Sequence, residues 1–110
     1  MIDGIRTINR FQSEMLADLL SKMRAVEEPG GTLLDNSMVV FGSAICDGNR
    51  HNHDDLPVIL AGGGGGTLDP GRQIHWSRGT PLSNLYVSML QRMGVDVDAF
   101  ADSTGPLAGI

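Results

Sequence analysis

Two short apolar runs, Met38-Val39-Val40-Phe41-Gly42 and Pro57-Val58-Ile59-Leu60-Ala61, flank a largely polar stretch of thirteen residues, Ser43 to Asp55. Each run is continuous and rich in β-branched residues, the pattern of a strand covered on both faces. Pro57 stands at a strand start, where its missing N–H matters least. The stretch between the runs has no apolar period. A loop that long inside a compact domain is usually functional or disordered. Any chemistry this chain performs is therefore expected where the two runs are joined.

Helices before and after could supply the cover. Ile5, Ile8, Phe11, Met15, Leu16, Leu19, Met23 and Val26 recur at steps of three and four. That spacing predicts one apolar stripe on a helix over about residues 4–26, with Asp3 as N-cap. Arg6, Arg10, Glu14, Asp18 and Lys22 fall on the other face. Pro29-Gly30-Gly31 ends the helix in a turn. Later, Thr80-Pro81 marks a second helix, with Thr80 as N-cap and Pro81 at the first helical position. Leu82, Leu85, Tyr86, Met89, Leu90 and Met93 form its predicted stripe, and Gly94 closes it. Gln73 to Trp76 reads as a short edge strand, and the tail from Asp96 as irregular. The methionines on both stripes are core filler.

These elements predict an α/β fold: a small, mainly parallel or mixed sheet of two to four strands flanked by helices. The 110 residues suit a single domain spanning 1–110. Few strands leave an apolar edge unpaired, and such edges recruit another chain. The expectation is a homo-oligomer, or a piece of a larger α/β domain. A net charge of −5, with eight basic residues spread along the chain, argues against a nucleic-acid partner. No apolar run is long enough for a membrane helix. The opening MIDGIRTINRF lacks the basic-then-apolar pattern of an export signal.

The loop concentrates the candidate chemistry in Asp47-Gly48-Asn49-Arg50-His51-Asn52-His53-Asp54-Asp55. Imidazole and carboxylate together suit a divalent metal, zinc first, and metal-dependent hydrolases need several such groups to converge. His51, His53 and Asp47 are the candidate ligands. The bland alternative is a solvated loop, since Asp, Asn, Gly and His are all common in turns. His75 reads as a half-buried, satisfied histidine and Cys46 as a small buried filler. Gly62 to Gly66 is not a phosphate loop, because no Gly-Lys-Ser/Thr or helix start follows it. Close backbone approach or a mobile turn is its likelier role. Ser43 has no Gly-x-Ser-x-Gly turn around it, so no nucleophile triad is expected.

The stretches TLLDNSMVVFGSAICDGNRHNHDDLPVILAGGGGG, TPLSNLYVSMLQRMGV and DSTGPL, in that order, resemble the C-terminal part of the HXXSHH family. These are bacterial proteins of unknown function, generally exported. The likeness runs from about Ile5 to Ile110. It implies the last part of a longer protein, with an exported or periplasmic setting. That family is in turn similar in pattern to the alkaline phosphatase and sulfatase superfamily. The likeness implies a partial alkaline-phosphatase-like fold, with the nucleophile and remaining ligands supplied by a missing N-terminal segment. His51, six residues before Pro57, matches the superfamily's last ligand histidine. Its acidic-His-Gly ligand pair has no counterpart, because Ser43-Ala44-Ile45-Cys46 stand there and Asp47 is displaced.

Overall fold

A computed structural model describes residues 2–110. The chain forms α1 (Ile2–Arg24), β1 (Glu27–Glu28), β2 (Gly31–Thr32), β3 (Val39–Gly42), β4 (Val58–Ala61) and α2 (Ser83–Arg92). The described residues form a small mixed α/β arrangement of two helices and two antiparallel two-stranded sheets. β1 and β2, which the sequence did not announce, form a two-residue ladder around the Pro29-Gly30 turn.

The two apolar runs are strands, and they pair with each other. Their pairing corrects the predicted parallel or mixed sheet: Val39 faces Ala61 and Gly42 faces Val58, an antiparallel ladder. The reason lies in the connection. Parallel strands need a crossover running back along the sheet, usually a helix. Residues 43–57 instead fold upon themselves at one end of the ladder, where the Ser43 N–H donates to the Pro57 carbonyl at 3.3 Å. Cover on both faces is also missing. No strand residue is buried, and Ile59 is 51% exposed.

Helix α1 matches its apolar period, but no residue of it is buried. Asp3 lies inside the first turn and does not cap it. Helix α2 differs more. Its buried residues are Ser83, Asn84, Leu85, Val87 and Ser88, so only Leu85 of the predicted stripe is buried. Met93 of that stripe is 70% exposed. At 100° per residue the Ser83-Asn84-Val87-Ser88 face lies across the helix from Leu82, Tyr86, Met89 and Met93. The cause is the tail, which crosses the polar face. Thr104 N–H donates to Asn84 Oδ1 at 2.9 Å, and Leu107 N–H to Ser88 Oγ at 2.8 Å. Arg92 Nη2 donates to the Ile110 carbonyl at 2.6 Å. Thr80 does not cap the helix; its hydroxyl donates to the Ser77 carbonyl. Gly94, at φ 82°, ends it as foreseen. The Val95 N–H reaches the Leu90 carbonyl and the Gly94 N–H the Gln91 carbonyl, the paired bonds of a Schellman end. Gln73 to Trp76 forms no strand.

The glycine run is held by the turn before β3. The N–H groups of Gly63, Gly64 and Gly65 donate to the carbonyls of Leu34, Ser37 and Asp35 at 2.9–3.1 Å. Those donors are therefore spent inside the fold. Asp35 fixes the other side of this turn, accepting from the Thr32 N–H at 2.8 Å and the Thr32 hydroxyl at 2.9 Å. The Thr32 N–H, then the hydroxyl, hold the Asp35 carboxyl below its usual range, with a smaller contribution from Arg24. A carboxyl depressed in the fold adds stability above its unfolded pKa and loses it as pH falls through the lower folded value. The Thr32 amide proton should then titrate with a midpoint below about 3.9, the ordinary aspartate value. NMR titration checks this, and Asp35→Asn should abolish the transition. A midpoint at or above the ordinary value would contradict the geometry.

Candidate functional site

The loop after β3 is a compact turn built by its own backbone. The Cys46 N–H donates to the Asn52 carbonyl at 2.9 Å, and Asp47 and Asn52 form an isolated antiparallel bridge. Within that closure the His51 N–H reaches back to the Asp47 carbonyl at 2.8 Å. Asp47 Oδ1 accepts from the N–H groups of Asn49 and Arg50 at 2.8 and 3.2 Å, an Asx turn. Its other oxygen lies 3.9 Å from Arg50 Nε. The Asp47 carboxylate is thus turned inward and shapes the loop. His51 sits in the left-handed region at φ 54°, and its side chain is exposed.

His53 differs from both. Its Nδ1 lies 2.6 Å from the Ala44 carbonyl oxygen. A carbonyl only accepts, so Nδ1 carries the proton and Nε2 keeps its lone pair in the neutral ring. A carbonyl behind the far ring nitrogen is the usual support of a metal-ligating histidine. Asn52 Oδ1, beside it in sequence, is buried without a hydrogen-bond partner.

His53 also borders an open cleft of about 1250 Å³, which runs between β4, the segment 68–81 and α2. His75, Trp76, Arg78, Tyr86 and Asp102 line the same space. His75 is exposed there, which corrects the half-buried reading, and Cys46 is exposed as well. Both sit on irregular backbone, where no packed layer closes over them. The structure brings His53 and His75 to one cleft but leaves His51 and Asp47 outside its lining. Among the described residues, no three of His, Cys, Asp and Glu gather closely enough to hold a metal ion. An ion held by one or two of these histidines would need further ligands from outside the described residues.

Sequence reading missed Arg78, Trp76 and Tyr86 as cleft walls. Tyr86 had been assigned to a core stripe, and the face it occupies is open instead. It meets Phe100 edge-on, with ring centroids 6.4 Å apart. Trp76 is fixed by its indole N–H, which donates to the Ala108 carbonyl at 2.8 Å. Nothing local in the sequence marks that pairing, which joins residues 32 positions apart.

No family model, curated protein or solved structure matches this chain. What the site can do rests on its own groups. It offers one imidazole held through Nδ1, a second histidine on the same cleft, and two aromatic walls. No helix among the described residues is long and apolar enough to cross a membrane.

Proposed function

We propose that this chain is an α/β portion of a metal-dependent phosphatase- or sulfatase-like hydrolase, with no activity of its own. The observation that carries the reading is the His53 ring, held by the Ala44 carbonyl and bordering the open cleft with Nε2 free. The HXXSHH resemblance supports it, with a partial alkaline-phosphatase-like fold completed by a missing N-terminal segment. In that reading His51 and His53 are ligands and Asp47 shapes the loop that carries them. A divalent ion, zinc by the character of the donors, would polarise a phosphoryl or sulfuryl oxygen. This chain's own residues then orient the ligands and wall the cleft; they provide no nucleophile. Zinc titration by calorimetry tests it. The chain should bind weakly, and His51→Ala and His53→Ala should each weaken binding by roughly tenfold or more, with unchanged circular dichroism. Zinc affinity indifferent to both substitutions would remove the reading.

A second reading has its own observation. The chain exposes 8034 Å², whereas a folded monomer of 11.7 kDa exposes about 5,900 Å². The radius of gyration, 15.6 Å, likewise exceeds the roughly 13 Å of a compact chain this long. So large a surplus favours a self-associating domain, the alternative to a hydrolase portion. The two readings are compatible, because an assembly can still present a ligand histidine.

A further inference from the structure

We propose that α1 is the dimerisation helix of this chain, and that a second copy covers its apolar stripe helix against helix. The inference rests on the self-association reading and names the surface responsible. Ile2, Ile5, Ile8, Phe11, Met15 and Leu19 are all exposed, between 47% and 68%. They line one side of a helix of 23 residues, about 34 Å long. Soluble chains rarely leave a continuous apolar strip of that length in water.

Two features say what covers it. The first is area. The surplus of about 2,100 Å² over a compact monomer exceeds the roughly 800 Å² per partner that a stable dimer buries. The second is period. Ile5, Ile8, Gln12, Met15 and Leu19 alternate steps of three and four, the seam that receives another helix by knobs-into-holes packing. The chain itself supplies such a helix, and a two-fold pair places the same stripe on both sides. Between Ile5 and Leu19, Gln12 is the one polar residue in the seam; a polar group there sets register at a cost in stability.

The seam is also continuous with the sheet. Gln12, Met15, Leu16 and Leu19 share a groove with Phe41 and Gly42 at the end of β3. Arg10 pairs with Glu14 at 2.9 Å on the side away from the seam, while Lys22, the next seam position after Leu19, is paired with Asp18 at 2.7 Å at the helix end. Between Ile5 and Leu19 nothing charged occupies the seam.

Multi-angle light scattering and sedimentation equilibrium on the full chain test the proposal. The chain should run at twice 11.7 kDa at micromolar concentration. Leu19→Asp should dissociate it by at least tenfold in Kd. Gln12→Leu should tighten it by about tenfold, a gain that misfolding cannot imitate. Arg10→Ala, on the outer face, should leave the mass unchanged. A wild-type monomer overturns both this proposal and self-association. A dimer that survives Leu19→Asp overturns the α1 seam alone and leaves self-association standing. Open-ended oligomers, or a stripe covered only when a different protein is added, also overturn it.

Discussion

Gly62→Ala should cost this chain more than about 3 kcal/mol, enough to unfold many domains of this size. Gly62 follows β4 and has φ 103°, in the half of conformational space that side chains avoid. A Cβ there would land on the Ser37 carbonyl oxygen and close to that of Leu34. Backbone on both sides cannot yield as a flexible side chain would. The same carbonyls receive the N–H groups of Gly63 and Gly64, so displacement also breaks the bonds that seat the run. Gly65→Ala is the control. It shares a positive φ, 68°, but its Cβ would meet nothing within 4 Å. Conformational strain alone should cost about 1 kcal/mol there. Urea denaturation of both variants separates the two causes. Equal losses would mean that the close approach of the glycine run to residues 34–37 does not hold.

That contrast marks where the sequence speaks and where it falls silent. Local periods were legible. The steps of three and four place α1 within two residues of its observed bounds, and both apolar runs are strands. Gly94 ends α2, because a positive φ at a helix end is a local requirement. What needed knowledge of distant partners was not legible. Strand direction depends on whether residues 43–57 return or cross over, and composition is the same in either case. The buried face of α2 depends on the tail, which brings hydrogen-bond partners and so draws Ser83, Asn84 and Ser88 inward in place of Met89 and Met93. In the loop, the residue types were informative but their roles were not. Asp47 has the chemistry of a ligand and the geometry of a turn-former. His53 gains its orientation from Ala44, nine positions away, which no spacing rule reveals.

The tail makes the second large prediction. Asn84 is 6% exposed and joins Thr104 twice, donating from Nδ2 to Oγ1 at 3.0 Å and accepting from the backbone N–H at 2.9 Å. Beside it, Ser83 donates to Asp102 at 2.7 Å, and Ser88 and Leu107 exchange bonds. Asn84→Leu keeps the branched heavy-atom shape but removes the protein partner of the Thr104 N–H and hydroxyl. Thr104 is exposed and its freed groups can turn to water, so the loss is that of the two bonds, roughly 2 kcal/mol in all. The readout is direct, because Trp76 is the sole tryptophan and its indole holds Ala108. Tail release should shift its emission to the red and open residues 102–110 to carboxypeptidase. Thr104→Val added to Asn84→Leu should recover no more than about 1 kcal/mol, since the hydroxyl that has lost Asn84 is then absent. The backbone N–H stays unpaired, so recovery should be partial. Full recovery would assign the whole loss to the hydroxyl. No loss in Asn84→Leu itself would mean that the tail is held by Ser88 and Arg92 and that Asn84 only fills space.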